Sequence, residues 1–402
     1  MTESVPVDDE EVAARRGRRQ WPLPKQADPT APLLVVKDLR THFRLSDGWV
    51  QAVDGVSFRL NDGEAMGLAG ESGCGKTTTA LSLVRILPAN ARIRKGSSIE
   101  LFGIDLVPKT EDQLRRYRWR EISIVFQGAM NALNPVRRVG DQIAEPIEVR
   151  LGESRERSLA RAGELLELVG IPRKRARAYP HELSGGMRQR AMIAMALACD
   201  PAVVIGDEPT TALDVMVQAQ ILELLERLRR DLGLSLILIT HDLSVIAETC
   251  DRTLIMYAGR VAEEGPVERI FSAPRHPYTE RLLGAFPNIQ TDRRTLDTIP
   301  GSPPNLKHPP AGCRFHPRCP VAMEVCREVV PPEVIFPDGV RVACHLHPAG
   351  RDGGVLISAE DVAARRPAKV ANAPTTITPS AGAAPVSAVS DGTAPTVSEA
   401  AP

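Results

Sequence analysis

The chain has 402 residues, and its 50 Lys and Arg are matched by 50 Asp and Glu, so the formal net charge at pH 7 is zero. This balance and an aromatic content of 4% argue against nucleic-acid binding, which needs basic charge and aromatic stacking surfaces. The longest apolar runs are shorter than the ~18 residues that cross a bilayer, and the N-terminus lacks the basic and apolar segments of a secretion signal. We therefore expect a cytoplasmic protein with no nucleic-acid partner.

The sequence divides into a core and two tails. Residues 1–31 are charged and contain proline, which predicts a solvated tail. From residue 33 to about 265, apolar runs typical of buried strands alternate with helical patterns, so we expect an α/β core. The strand pattern disappears between residues 128 and 190, which predicts an inserted helical subdomain. Residues 350–402 are rich in Ala, Pro, Thr and Ser without periodicity, which predicts a disordered tail.

A phosphate-binding motif lies between a predicted strand and a predicted helix. Residues 70–77, called the phosphate loop below, match the pattern G-x-x-x-x-G-K-[ST]. Its glycines let backbone N–H groups face a phosphate, Lys76 supplies a positive charge, and Thr77 offers a hydroxyl to Mg²⁺. The residues expected to bind the nucleotide here are Gly70, Ser72, Gly73, Cys74, Gly75, Lys76, Thr77 and Thr78.

Two acidic residues follow the next buried strand pattern, at residues 202–205. Ligands bind at the carboxyl ends of strands in open α/β sheets, so we expect Asp207 to hold Mg²⁺ and Glu208 to polarise the water that attacks the γ-phosphate. The alternative is a helix N-cap with an acidic first turn. Beside a phosphate loop, the catalytic interpretation is favoured.

Two further polar residues end apolar strand patterns. Gln127 follows residues 122–126, and we expect it beside the γ-phosphate as a catalytic residue and a Mg²⁺ ligand. His241 follows residues 236–240, and we expect it to contact the γ-phosphate. A lone His after a strand is more often a polar cap, so this role depends on its place in the ordered set of motifs.

A second anion site is predicted at residues 183–187, called the signature segment below. Ser184, Gly185 and Gly186 stand at the start of a predicted helix, where backbone N–H groups favour a phosphate. One bound nucleotide does not need two phosphate-binding sites from the same chain. We therefore expect the signature segment to bind the ATP held by a partner subunit.

With the phosphate loop, these segments resemble the ATP-binding-cassette (ABC) ATPases over about residues 32–290. The resemblance implies an α/β P-loop NTPase cassette with a RecA-like core, an antiparallel β part and an inserted helical subdomain. It implies that ATP and Mg²⁺ bind and that Phe43 stacks on adenine. Met187 departs from the family, which most often has Gln there. Ser184 and the glycines keep the atoms that face phosphate, so we expect activity to survive.

Four of the seven cysteines, Cys313, Cys319, Cys326 and Cys344, lie close together near the end of the chain. Disulfides are disfavoured in a reducing cytosol. The spacing lacks the C-x₂₋₄-C pairs typical of zinc sites, whereas an iron–sulfur cluster accepts ligands from a longer loop. From spacing alone, zinc and iron–sulfur both remain open.

The segments around these cysteines resemble the C-terminal extension of the oligopeptide/dipeptide importer ATPases. The matching residues are His276 to Thr279, Ile299 to Pro304 and Gly312 to Cys319. Separately, Gln127 to Pro135 resemble the Gln-loop of the same group of ATPases. The resemblance extends to about residue 349 and implies a small Cys-rich extension over residues 291–349. It favours a [4Fe–4S] cluster on the four cysteines, with Zn²⁺ as the alternative.

The same resemblance implies an ATPase that powers import of di- or oligopeptides from the cytoplasmic face of the membrane, as a peripheral protein. Its implied partners are two permease subunits, a second homologous ATPase or a copy of itself, and an extracytoplasmic substrate-binding protein. The alternative is a soluble ABC ATPase acting on nucleic acid or ribosomes. Members of that kind carry long coiled-coil insertions or duplicated motifs, which this sequence lacks.

Overall fold

The computed structural model describes residues 32–128, 132–211, 213–285 and 299–364. The predicted N-terminal tail and the end of the predicted C-terminal tail therefore lie outside the described residues. No helix in the described ranges combines the length and the apolarity needed to cross a membrane.

The strands are, in chain order, β1 (Pro32–Leu45), β2 (Gly48–Asn61), β3 (Ala65–Ala69), β4 (Ala91–Ile93), β5 (Ser98–Leu101), β6 (Ile104–Asp105), β7 (Ile122–Val125), β8 (Val203–Asp207), β9 (Ser235–Ile239), β10 (Arg252–Tyr257), β11 (Arg260–Pro266), β12 (Glu333–Ile335), β13 (Arg341–Ala343) and β14 (Val355–Leu356). The α-helices are α1 (Lys76–Leu83), α2 (Glu111–Leu114), α3 (Val139–Leu151), α4 (Arg155–Leu168), α5 (Gly185–Ala196), α6 (Val215–Leu232), α7 (Leu243–Thr249), α8 (Val267–Ser272), α9 (Pro277–Gly284), α10 (Val325–Glu328) and α11 (Ala359–Ala364). Strands and helices thus alternate through the core, as the sequence predicts.

A mixed sheet with the strand order β14-β12-β13-β11-β10-β3-β9-β8-β7 forms the centre of the molecule. The pairs from β10 through β3, β9 and β8 to β7 are parallel. The pairs from β10 through β11, β13 and β12 to β14 are antiparallel. Every residue of β3, β8 and β9 is buried, as expected for parallel strands covered on both faces. Their carboxyl ends meet at one edge, so the loops that follow them form a single site.

An antiparallel sheet with the order β2-β1-β5-β6, and with β4 paired to β1, packs beside the central sheet. Its long strands β1 and β2 form a hairpin in which Leu45 pairs with Gly48. Thr41 Oγ1 of β1 and Ser82 Oγ of α1 lie 2.8 Å apart, and both side chains are fully buried. This contact fixes β1 against the helix that follows the phosphate loop.

The region from 128 to 190 is helical in its described part, where α3, α4 and the start of α5 lie and no strand forms. Gln142 of α3 is buried and holds the chain that leads into this region. Its Oε1 accepts from the Asn134 backbone N–H at 2.7 Å, and its Nε2 donates to the carbonyls of Asn134 and Arg137, each at 3.0 Å. Asn134 and Arg137 are therefore fastened to α3.

The end of the chain adds strands to the central sheet. β13 pairs with β11, placing Arg341 opposite Glu264, and β12 and β14 follow outside it. Regular secondary structure continues beyond residue 350, although the composition of this segment predicts disorder. β14 forms because Leu356 pairs with Val334, and α11 is held by the buried side chain of Val362. The predicted start of the tail at residue 350 is thus too early.

A buried ion-pair cluster joins these added strands to the core. Arg341 and Glu264 are 2% and 4% exposed. Arg341 Nε donates to Glu264 at 2.8 Å, and its Nη1 donates to Glu333 at 2.5 Å. Arg252 contacts the other oxygen of Glu264 and donates to Glu64 at 2.8 Å. Burial opposes the charge of Glu264, but Arg341 and Arg252 hold the pKa of its carboxyl below the usual value.

We expect Arg341→Ala to lower the free energy of unfolding by about 3–5 kcal/mol, because it leaves Glu264 as a buried, under-compensated charge. Urea denaturation of the full chain measures this. Arg327→Ala is the matched control: Arg327 is exposed, its Nε lies 3.9 Å from Glu324, and we expect a change within ~0.5 kcal/mol. Equal stability of the two variants would contradict a structural role for the cluster.

Candidate functional site

The phosphate loop connects β3 to α1 and depends on two glycines. Gly70 and Gly75 have φ values of 142° and 110°, a region that disfavours other residues. A Cβ on Gly70 would lie 2.2 Å from the Met256 carbonyl oxygen, and one on Gly75 would lie 2.3 Å from that of Ala52. The loop therefore keeps its shape only with glycine at both positions.

Lys76 lies inside this loop. Its side chain is buried, and its Nζ donates to the carbonyl oxygens of Gly70 at 2.7 Å and Glu71 at 3.1 Å. Cys74 is also buried, and burial raises the pKa of its thiol. Ser72, Gly73 and Thr77 are exposed along the loop and Thr78 is half-buried. The ammonium group thus occupies the centre of the loop, where it can meet a phosphate.

Thr77 and Asp207, the two residues predicted to hold Mg²⁺ on the phosphate-loop side, lie next to each other. Thr77 Oγ1 donates to Asp207 Oδ1 at 3.1 Å. Asp207 is 1% exposed. Burial raises the pKa of its carboxyl, and the negative charge of Glu208 acts in the same direction. A hydroxyl and a carboxylate oxygen at one point match the hard oxygen ligands that Mg²⁺ prefers, and a cation would offset the cost of burying this charge.

Three side chains from separate segments converge on one oxygen of Glu208. Gln127 Nε2 donates to Glu208 Oε2 at 2.7 Å, and Thr211 Oγ1 donates to the same oxygen at 2.9 Å. His241 Nδ1 lies 3.8 Å from it, and the His241 side chain is 72% exposed. The carboxylate is therefore held by hydrogen bonds from groups at the ends of β7 and β8, and His241 at the end of β9 lies near it. Thr211 is the member of this group that the sequence reasoning missed.

The backbone of Glu208 is itself constrained. Its φ is 49°, in the left-handed region that non-glycine residues seldom adopt. Its N–H donates to the Ile239 carbonyl oxygen on β9 at 2.9 Å, which fixes this conformation. Strain of this kind is typical of functional positions, because the surrounding structure must impose it.

The signature segment starts α5, as predicted. Ser184 is exposed and caps the helix by accepting from the Met187 backbone N–H at 3.3 Å. A Cβ on Gly186 would lie 2.8 Å from Val217 of α6, so this glycine also allows two helices to pack closely. In the described part of the chain, no hydrogen bond joins the signature segment to the phosphate loop.

Phe43 lies in β1, where it pairs with Val50 and Ala91 in the neighbouring strands. Its side chain is half-buried. The Thr41–Ser82 contact two residues earlier fixes its strand against α1. Stacking of Phe43 on adenine stays a prediction.

The four C-terminal cysteines share one neighbourhood. Cys326 is buried and the other three are half-buried. Burial raises the pKa of the Cys344 thiol to about 12, and Cys313, Cys319 and Cys326 act in the same direction. Among the described residues, no group of three or more His, Cys, Asp or Glu is placed to hold a metal ion. Neither the iron–sulfur nor the zinc prediction is confirmed by this arrangement.

Comparison with known families agrees with this geometry. The ABC transporter family model matches residues 53–211, and the model of the oligopeptide/dipeptide transporter C-terminal region matches residues 262–326. The oligopeptide transport ATP-binding protein OppD of Escherichia coli is 48% identical over 322 residues, which are 80% of this chain and 94% of OppD. The chain belongs to the ABC transporter ATP-binding proteins. The resemblance inferred from the motifs is therefore confirmed.

A second relative and a solved structure extend this result. The OppD protein of Salmonella typhimurium is 47% identical over 318 residues, covering 79% of this chain and 94% of that protein. A dimeric ATP-binding cassette solved in a post-hydrolysis state with ADP and Pi is 26% identical with a TM-score of 0.53, and the match covers 58% of this chain and 98% of that one. The cassette fold and its ATPase class are thus established.

We expect Glu208→Gln to slow ATP hydrolysis by ~10²–10⁴, the usual contribution of a positioned base. The amide is nearly isosteric but cannot polarise water as a carboxylate does, so MgATP affinity should stay close to that of the wild type. Single-turnover hydrolysis and MgATP titration measure the two quantities separately. Wild-type turnover in this variant would show that another group orients the water.

Proposed function

We propose that this chain hydrolyses ATP to drive the import of di- or oligopeptides through a partner membrane permease. The observation that carries the hydrolysis is the convergence of Gln127, Thr211 and His241 on Glu208, beside the Thr77–Asp207 pair. The peptide substrate is supported by the match of residues 262–326 to the oligopeptide/dipeptide transporter C-terminal region and by the names of the relatives.

In this proposal, each residue has one task. Lys76 and the backbone N–H groups of the phosphate loop bind the phosphates. Mg²⁺, held by Thr77 and Asp207, would neutralise phosphate charge, with Gln127 as a further ligand. Glu208 orients the attacking water through the oxygen that Gln127 and Thr211 do not occupy. His241, which is exposed at the same point, contacts the γ-phosphate.

We further propose that the complete site needs two cassettes. Ser184 is exposed at the N-terminus of α5, so Ser184, Gly185 and Gly186 can present their N–H groups to the ATP of a second homologous subunit or a second copy. ATP then bridges the two cassettes, and hydrolysis removes the bridge. Other nucleotide-dependent switches work in the same way, because the γ-phosphate maintains one conformation and its loss releases it.

The path from hydrolysis to transport runs through Gln127. Its amide contacts Glu208, and Asn134, seven residues further along the chain, is fastened to α3 by Gln142. A change at the γ-phosphate therefore reaches the helical region, where two permease subunits would rest. The chain would act at the cytoplasmic face of the membrane as a peripheral protein, with an extracytoplasmic binding protein delivering the peptide.

We propose that Cys313, Cys319, Cys326 and Cys344 hold a [4Fe–4S] cluster, with Zn²⁺ as the alternative. A cubane is wider than a single ion and Cys₄ ligation is its usual arrangement, so cysteines that do not form a single-ion site still suit it. Burial raises the pKa of the Cys313 and Cys344 thiols, and a bound metal cluster would supply the positive charge that favours their thiolates. The bound cluster or metal ion would cross-link a segment that has little apolar core of its own.

Peptide uptake tests the function. Vesicles containing the cognate permeases, the binding protein and this chain should accumulate a labelled tripeptide when loaded with ATP. With Ser184→Arg, uptake and hydrolysis should fall, because the side chain blocks closure over the partner's ATP, while MgATP affinity of the isolated chain stays unchanged. Uptake of a sugar or of nickel in place of peptide would reject the substrate class. A large affinity loss in the isolated variant would reject the two-cassette site.

Metal analysis tests the cysteines. Chain purified without oxygen should contain about four irons and absorb broadly near ~400 nm. Serine at any one of Cys313, Cys319, Cys326 or Cys344 should remove iron and colour. Cys199→Ser is the matched control, because Cys199 is buried elsewhere and should be replaceable without iron loss. One zinc and no iron would establish the alternative.

A further inference from the structure

The segment between the first two of these cysteines, residues 313–319, packs against the phosphate loop; we call it the cysteine loop. Arg318 of this loop donates to both carboxylate oxygens of Glu71, at 2.6 Å and 2.9 Å. Glu71 is the second residue of the phosphate loop. A side chain from the C-terminal extension thus makes a bidentate ion pair with the loop that binds phosphate.

Glu71 is held at three points. Its carboxylate contacts Arg318, its backbone N–H donates to Tyr278 Oη at 2.8 Å, and its carbonyl oxygen accepts from Lys76 Nζ at 3.1 Å. The position of Lys76 therefore depends in part on where Glu71 is held. Glu71 is also a negative charge within a loop that must attract anions.

Arg318 is rigid and nearly buried. Its side chain is 6% exposed. Its Nε donates to the Pro300 carbonyl oxygen at 2.8 Å, and its Nη1 donates to Tyr257 Oη at 3.2 Å. Phe315 of the same loop packs against the Tyr257 and Tyr278 rings, with centroids at 5.1 Å and 5.3 Å. These contacts leave the guanidinium few other positions.

We propose that Arg318 is a positioning residue for ATP binding, which neutralises Glu71 and holds it away from the phosphate site. This inference rests on the proposed role of the phosphate loop. Without Arg318, the Glu71 carboxylate is an uncompensated negative charge beside the phosphates of ATP and an alternative partner for Lys76. Affinity for ATP falls, while the groups around Glu208 that act on water are untouched.

The test compares Arg318→Gln with Arg275→Gln. Arg275 makes a bidentate pair with Asp338, at 3.3 Å and 2.9 Å, which also joins the cassette to the extension but does not touch the phosphate loop. We expect Arg318→Gln to raise the KM for ATP and the Kd for MgATP about tenfold, within the usual range of site coupling, with kcat within about threefold. Arg275→Gln should leave both constants unchanged.

A double variant separates this role from simple damage to the fold. In Arg318→Gln/Glu71→Gln the negative charge is gone, so most of the lost affinity should return. Arg318→Lys keeps the charge but loses the bidentate contact, and should show a smaller increase in Kd. If Arg318→Gln does not fold, Arg318→Lys measured alone and in combination with Glu71→Gln gives the same comparison. No recovery in the double variant would overturn the proposal.

Lys76→Ala is the reference for the proposed function. Loss of MgATP binding in Lys76→Ala with wild-type affinity in Arg318→Gln would overturn the role of Arg318 alone. Unchanged affinity in Lys76→Ala would instead overturn the role of the phosphate loop. The two failures are therefore distinguishable in one set of titrations.

Discussion

The carboxylate of Glu208 is the point on which the rest of the site depends. It receives Gln127, Thr211 and His241 from three different strand ends, and its own backbone is held in the left-handed region by Ile239. Such a meeting point requires β7, β8 and β9 to be adjacent and parallel, as they are in the central sheet. The central sheet is thus the frame that brings distant parts of the sequence to one oxygen atom.

Much of this site could be predicted from the sequence because its signals are local. The phosphate loop, Asp207 and Glu208 are short motifs directly after apolar runs, and the parallel sheet brings them together. Thr211 carries no such signal, since a threonine beyond a strand end is common. The pairing of Arg318 with Glu71 joins residues 247 positions apart, and no periodic pattern records a contact of that kind.

The fold beyond the core was harder to predict for a similar reason. β12, β13 and β14 are two or three residues long, too short for a periodic pattern. Each forms by pairing with a neighbour: β13 with β11, β12 with β13 and β14 with β12. β14 is ordered because it pairs with β12, and α11 because Val362 is buried, although the segment that begins at residue 350 has the composition of a tail. Whether a short edge strand forms depends more on the strand that it pairs with than on its own residues.

The place of β13 in the central sheet affects how the chain can be divided. β11 is an interior strand because β13 pairs with it on the side away from β10. A protein cut before residue 299 would expose the backbone N–H and carbonyl groups of β11 as a free edge, and free edges recruit strands from other molecules. The extension therefore serves as a cover for the cassette, and a shortened cassette would tend to self-associate through the exposed edge of β11.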